Sequence, residues 1–280
     1  MKLLVGLIGA GIQRSLSPAL QEEEARHHGL RLHYQLIDLD AAGVGPQVLP
    51  ELIRAARIMR FTGFNITFPC KQSVIPLLDS LSEEARTIGA VNTVVREGDR
   101  LVGHNTDGSG WSWGFRRALP GADLSRVALL GAGGAGSACA DAVLRLGAQQ
   151  LVIVDREHSR ATELAARLNG NFAGRRASAA ADPVAALRGA TGLIHATPVG
   201  MTAHPGMPLP EELLSRSLWV SEVVYVPLET PLLKAARRIG CQTADGGHMN
   251  VGQAMGGFKL FTGRDADAAR MDAHFRKLVE

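Results

Sequence analysis

The stretch that most restricts what this chain can fold into is "RVALLGAGGAGSACADAVLRLGAQQLVIVD", residues 126–155. Apolar Val127 to Leu130 lead into Gly131-x-Gly133-x-x-Gly136, an alanine-rich segment follows, and a second apolar run ends on Asp155. Strand, glycine turn, helix, strand is a βαβ unit. Each glycine has its own reason: a tight turn at Gly131, close backbone approach to a pyrophosphate at Gly133, and close packing of helix on strand at Gly136. Free N–H groups at the helix start, around Gly134 and Ala135, favour a diphosphate. Asp155, 24 residues after Gly131, can accept hydrogen bonds from both ribose hydroxyls and would repel a 2′-phosphate. The expected cofactor is therefore NAD. The adjacent guanidinium of Arg156 suits a 2′-phosphate and leaves NADP as the alternative. The alternative reading is a merely tight βα turn beside a surface aspartate. The context of strand, turn, helix and second strand selects the dinucleotide reading.

A second glycine pair, Gly9-x-Gly11, also follows a strand, but Arg14 stands where the third glycine belongs. The next acid at a strand end is Asp38, beyond an intervening helix. This turn is read as part of a substrate-binding lobe, not as the dinucleotide site.

A chain of 280 residues suffices for one large domain or two ordinary ones. It is 46% hydrophobic and 20% charged, which sets disorder aside. The net charge of +3 comes from scattered arginines such as Arg116-Arg117 and Arg237-Arg238. Aromatics are sparse and not interleaved with them, so nucleic acid is not an expected partner; an anionic small molecule is. Cys70, Cys139 and Cys241 are far apart and odd in number, offering neither a disulfide framework nor a metal-binding spacing. No metal is expected. The N-terminal apolar run is broken by glycines at 6, 9 and 11, and no stretch approaches the ~20 apolar residues of a membrane span. A cytoplasmic protein without membrane contacts is the expectation.

Outside the βαβ unit, residues 3–9 read as a buried strand and 17–29 as a helix with Ser17 at its N-cap, acids early and Gly29 at its end. Strands follow at 32–38 and through "FNIT", with a helix at 46–59 between them, and 91–105 reads as a hairpin about Gly98-Asp99. Further strands fit 192–196 and 218–224, a helix fits 231–239, and 250–280 reads as two helices. Helices near 107–119 and 250–261 are the expected bridges between two lobes.

"FNITFPCK" adds a row of a different kind, with Asn65, Thr67, Pro69 and Lys71 at alternate positions. Side chains two apart share one face of a strand. Asn92, and then Asn105, Thr106 and Asp107 at a helix start, supply further polar strand ends in the same lobe. Ligands bind outside the carboxyl ends of parallel strands. A lysine oriented by an aspartate can exchange the proton of a reacting hydroxyl, and His104 is the rival base.

The motifs "SLSP" (15–18), "NITFPCK" (65–71), "GAVNTVV" (89–95), "NTDGSG" (105–110), "GAGGAG" (131–136), "ATPVGM" (196–201), "VVYVPLET" (223–230) and "DGGHMNVGQA" (245–254) resemble, in this order, the shikimate/quinate dehydrogenase family. The resemblance implies an α/β protein. A Rossmann dinucleotide-binding domain at 109–246 would be joined by a discontinuous α/β substrate domain with a mainly parallel sheet at 1–108. Residues 247–280 would be C-terminal helices returning to the substrate domain. It implies Lys71 and Asp107 as the catalytic acid/base pair, and Ser15 and Ser17 as holders of a substrate carboxylate. Asn92, Asp107 and Gln253 would bind ring hydroxyls, and Thr67 and Tyr225 would line the pocket. Thr197 would lie on the cofactor ribose side and Gly246 near the nicotinamide. The substrate would be a cyclohexene or cyclohexane carboxylate, oxidised reversibly at one ring hydroxyl, and the protein a monomer or homodimer.

The chain departs from the family pattern at four places. Arg14 replaces a histidine, Leu20-Gln21-Glu22 stands where His-Asn is common, Asp155-Arg156-Glu157 replaces an Asn-Arg-Thr run, and His195 replaces an asparagine. These departures resemble the NAD-using quinate/shikimate branch or the aminoshikimate enzymes. Ser17, rather than threonine, leans toward shikimate. From another class, a catalytically silent NAD-binding regulator would have no use for the lysine and aspartate.

Overall fold

The computed structural model describes residues 2–174 and 176–279. The chain forms two compact units, one running to Thr106 and resuming at Gln253–Leu278, the other Asp107–Gly252. The terminal residues 1 and 280 of the expected domain spans lie outside the described residues.

In the first unit the order is β1 (Lys2–Gly9), α1 (Ser17–His27), β2 (Arg31–Asp38), α2 (Leu49–Ile58), β3 (Gly63–Ile66), β4 (Ser80–Leu81), α3 (Glu83–Ile88), β5 (Thr93–Glu97) and β6 (Arg100–His104). The second unit contains α4 (Asp107–Ala118), β7 (Arg126–Leu130), α5 (Gly134–Arg145), β8 (Gln150–Val154), α6 (His158–Asn171), β9 (Ala177–Ala179), α7 (Pro183–Leu187), β10 (Gly192–His195), β11 (Trp219–Glu222), α8 (Pro231–Ile239) and β12 (Gln242–Ala244). The boundary at 252/253 falls inside α9 (Gly246–Thr262), and α10 (Ala268–Val279) follows.

The second unit's sheet has the order β12-β11-β10-β7-β8-β9, and every pairing in it is parallel. This is the doubly wound dinucleotide order, with its switch point between β7 and β10. Both faces of its strands are apolar. Val127 and Leu129 join a core with Trp111, Phe115 and Val143, while Ala128 and Leu130 join Val152, Leu193, Val220 and Leu233. Helices on both faces require such two-sided strands.

The first unit's sheet is β2-β1-β3-β5-β6-β4, with three parallel pairings and two antiparallel ones around β5. The part of α9 from Gln253 onward, and α10 as far as Leu278, belong to this unit, and named contacts tie them to it. Glu24 of α1, almost fully buried, takes a bidentate pair from Arg270 (2.7 and 2.8 Å) and the N–H of Asp267 at 2.8 Å. Gln21 donates to the carbonyl of Ala254 at 2.8 Å. Phe261 of α9 packs on Gly63 of β3, where a Cβ would come within 2.7 Å of its ring.

Several local expectations shift. Leu16, not Ser17, is the N-cap of α1, no acid sits in its first turn, and Ser17 is the first helical residue. The expected helix at 46–59 divides into a 3-10 turn, Pro46–Val48, and α2. The strand through "FNIT" stops at Ile66, because Thr67 turns to give its carbonyl to Cys70 N–H at 2.8 Å. The hairpin strand begins at Thr93, and α9 begins at Gly246 rather than 250. The strand expected over 218–224 ends at Glu222. Short β4, β9, β12, α3 and α7 had no expected counterpart; such elements are held by their neighbours and carry too few residues to show a period.

Gly136 and Gly133 should separate by stability. A Cβ at Gly136 would collide with the carbonyl of Gly131, whereas one at Gly133 meets nothing within 4 Å. Gly136→Ala is expected to lower unfolding free energy by about 1–3 kcal/mol in denaturant titration, and Gly133→Ala to change it little.

Candidate functional site

Each unit presents polar groups at the carboxyl ends of its parallel strands. In the first, β1 ends in the turn Gly9 to Ile12, and the next strand over ends on Asp38. One carboxylate oxygen of Asp38 accepts the N–H groups of Gly11 and Asp40, the other that of Ile12, all at 3.0 Å. The Ile12 carbonyl then takes the Ser15 N–H at 2.9 Å, and the Ser15 hydroxyl accepts from Ser17 N–H at 3.3 Å. Asp38 thus sets the turn that presents both serines. Five residues separate Gly11 from the first residue of α1, so this helix start does not abut the strand end. That is the physical ground for setting this turn aside as a dinucleotide site.

Asn65 is the last polar residue inside β3. Its Oδ1 accepts the Tyr34 hydroxyl at 2.7 Å, and its Nδ2 donates to Thr93 Oγ1 at 3.0 Å. Thr93 in turn donates to Asn92 Oδ1 at 3.0 Å, and the same oxygen takes the Thr106 N–H at 2.8 Å. Asn92 Nδ2 donates to Thr106 Oγ1 at 3.0 Å, and the Thr106 hydroxyl reaches the Gln253 carbonyl at 3.2 Å. This buried chain fixes Asn92 just before β5 and Gln253 on α9. Lys71 lies past the end of β3, in the turn after Cys70, and its carbonyl is held by Val91 N–H at 2.8 Å. The strict alternation expected from Asn65 to Lys71 is therefore broken: only Asn65 keeps a strand position, and Thr67 and Lys71 are placed by turns. His104, the rival base, is pushed below its ordinary pKa by burial, and its Nε2 is buried without a hydrogen-bond partner.

In the second unit Gly131 takes the left-handed conformation (φ 101°), its N–H bonded to the Val154 carbonyl at 2.8 Å. A Cβ there would lie 2.6 Å from the Ala196 carbonyl oxygen and 3.1 Å from Thr197 Cγ2, so the glycine turn and the end of β10 sit side by side. Gly133 is the N-cap of α5 with no side-chain cap, and Gly134 and Ala135 open the helix. The first N–H groups of a helix have no partner within it, and a Cβ added at Gly133 would meet nothing within 4 Å. Asp155 Oδ2 accepts the Ala132 N–H at 2.7 Å and Oδ1 the Glu157 N–H at 2.9 Å, while Arg156 is exposed. Tyr225 is pushed above its ordinary pKa by burial, against which a hydrogen bond with Asn250 acts. Gly246 opens α9 in contact with the Val224 carbonyl. Asp107 is buried as the first residue of α4.

Sequence reasoning missed the supporting roles of Asp38 and Thr93. The one usable signal was an acid closing an apolar strand, which Asp38 shares with Asp155. Among the described residues no cluster of His, Cys, Asp or Glu suits a metal ion, and no helix is long and apolar enough to cross a membrane.

Burial acts to raise the Asp38 pKa, but hydrogen bonds from Gln13 and from the N–H groups of Ala41, Gly11 and Asp40 prevail and hold it below 3.8. A depressed carboxylate contributes stability that is complete above its unfolded pKa and is lost as pH falls through the folded one. Asp38→Asn should therefore melt below wild type at about pH 6, with the gap closing as pH falls below about 4. A gap in melting temperature independent of pH would remove the carboxylate's charge from the account.

Comparison with known proteins follows this geometry. Residues 7–94 match the shikimate dehydrogenase substrate binding domain, and residues 126–199 match a family described as NADP oxidoreductase, coenzyme F420-dependent. The chain is 57% identical to shikimate dehydrogenase (NADP(+)) of Streptomyces avermitilis, over 99% of this chain and 96% of that protein. It is 44% identical to quinate/shikimate dehydrogenase (NAD(+)) of Corynebacterium glutamicum, over 99% of both. The structure of quinate dehydrogenase from Corynebacterium glutamicum in complex with NAD superposes with a TM-score of 0.91 at 42% identity, covering 99% of each chain. At these identities, over nearly its full length, the chain belongs to the shikimate/quinate dehydrogenase family.

Proposed function

We propose that this protein is an NAD-dependent dehydrogenase that interconverts shikimate, quinate or both with the corresponding 3-dehydro ketone. In the oxidising direction a ring carbon loses hydride, its hydroxyl loses a proton, and the C=O bond forms. A bound nicotinamide supplies the hydride acceptor.

The chain's own residues supply the rest. Lys71 takes the hydroxyl proton and returns it in the reducing direction, with Asp107 as its carboxylate partner in acid/base work. The hydroxyls of Ser15 and Ser17, presented by the Asp38-held turn, bind the substrate carboxylate. Asn92 and Gln253, anchored through Thr106, take ring hydroxyls with Asp107, and Thr67 and Tyr225 line the pocket. Gly131, Gly133, Gly134, Ala135 and Gly136 seat the diphosphate, Thr197 faces the ribose side, and Gly246 lies toward the nicotinamide. The substrate domain is the unit holding the serines and Lys71, and the cofactor domain is the doubly wound unit.

The observation that carries the cofactor choice is Asp155. Its carboxylate is tied to the Ala132 N–H inside the glycine turn at 2.7 Å, which supports the reading that this acid takes ribose hydroxyls and repels a 2′-phosphate. The exposed Arg156, and a 57% identical relative named for NADP(+), favour NADP as a second reading. A steady-state panel of shikimate, quinate and an aminated analogue, each with NAD and NADP, decides among these. Higher kcat/KM with NADP would overturn the NAD reading, and turnover of the aminated analogue alone would make this an aminoshikimate-type enzyme. Absence of turnover, with dinucleotide binding intact, would point to a silent binder.

Asp155→Ala is expected to narrow the NAD preference, and unchanged selectivity would count against its role. Lys71→Ala should lower kcat by about 10²–10⁴ with KM little changed, as for a group acting in the transition state. Near-normal turnover would take Lys71 out of the mechanism.

A further inference from the structure

β10 ends on His195 and β11 on Glu222, opposite one another in parallel register. Both side chains are completely buried. Two ionisable groups at neighbouring ends of an apolar sheet require a reason, because their desolvation is costly unless every hydrogen bond is made.

The bonds are made, and they impose a direction. Glu222 Oε1 accepts the N–H groups of Val223 (2.8 Å) and Val224 (3.0 Å), and Oε2 accepts the Thr230 hydroxyl (3.0 Å). His195 Nδ1 lies 2.8 Å from the same Oε1. An oxygen that already faces two N–H donors acts as an acceptor, so the proton of this third bond is on Nδ1. If the ring is neutral, its lone pair is then on Nε2. Nε2 is 2.5 Å from Thr197 Oγ1, which makes the Thr197 hydroxyl the donor. Val199 N–H occupies one lone pair of that oxygen at 3.3 Å, and the second is left for a ligand. Thr197 stands against Gly131 at the point where the strand order reverses.

We propose that Glu222 and His195 are positioning residues that turn the Thr197 hydroxyl proton inward, so that Thr197 offers a bound dinucleotide an acceptor lone pair. The group it takes is an O–H or N–H donor, a ribose hydroxyl or the carboxamide, and a phosphate oxygen, itself an acceptor, is refused. The inference rests on the dinucleotide reading above and adds to it how one hydroxyl is aimed. His195 and Glu222 act through Thr197 without touching the ligand.

Two measurements test it on the full chain. Nitrogen-15 NMR of histidine-labelled wild-type protein needs no substitution, and should show His195 neutral with its proton on Nδ1. An Nε2–H tautomer or a doubly protonated ring would overturn the proposal.

Calorimetric titration with NADH of Thr197→Val, His195→Asn and the double variant supplies the second. Each single change should weaken binding about fivefold, the size of one hydrogen bond, and the double variant should bind no worse than Thr197→Val alone. Losses that add, or full affinity in a folded His195→Asn, would remove the positioning role. Failure of wild type to bind NADH or NADPH would instead sink the dinucleotide reading itself. The acetylpyridine analogue of NADH, which lacks the carboxamide N–H, separates the two donors. If Thr197→Val still weakens its binding the partner is a ribose hydroxyl, and if not it is the carboxamide; loss of the Thr197 effect with both ligands would overturn the proposal.

Discussion

A carboxylate at the end of a parallel strand, accepting N–H groups from the glycine turn of the strand beside it, is the interaction on which both polar surfaces depend. Asp38 holds the turn after β1, and Asp155 holds the turn after β7. Backbone donors released where a parallel ladder stops must find acceptors. A side-chain carboxylate does this while fixing the direction in which the chain leaves the sheet. In the first unit that direction leads to Ser15 and Ser17. In the second it leads straight into α5, whose first residue, Gly134, comes only three residues after Gly131. One device serves two outcomes because the distance from turn to helix differs.

The polar residues themselves are seldom alone. Asn92 is held by Thr93 and Thr106, Asn65 by Tyr34 and Thr93, and Thr197 by His195. Each of these side chains has few rotamers left once its partners are in place, so its orientation is settled by the protein itself. Small residues make this possible. Gly131 and Gly136 let turn and helix touch, and Gly63 lets Phe261 lie on β3.

The departures from the family pattern acquire different meanings in this setting. Glu22, in the segment where His-Asn is common, accepts the Tyr34 N–H at 2.8 Å and so supports β2. Gln21 ties α1 to α9. His195 is joined to a buried glutamate, so its replacement of asparagine changes a network rather than one side chain. Relatives named for NADP(+) and for NAD(+) both resemble the chain at high identity, so overall likeness does not choose between the two cofactors.

The βαβ unit, its glycine turn and Asp155 were legible because each is local. Apolar runs of four residues, glycines at fixed offsets and an acid at a strand end need no distant partner to be recognised. The hairpin about Gly98 and the helices at 107–118 and 231–239 were legible for the same reason. Short elements such as β4 and β12 were not, since only pairing with a neighbour makes them strands. Nor was the placement of Thr67 and Lys71, because a turn and not the strand period decides where they go. Tertiary structure alone brought His195 beside Glu222, Asn65 beside Thr93, and Asp38 onto Gly11. These groups lie tens of residues apart, and their energies arise from burial together, which no local pattern encodes.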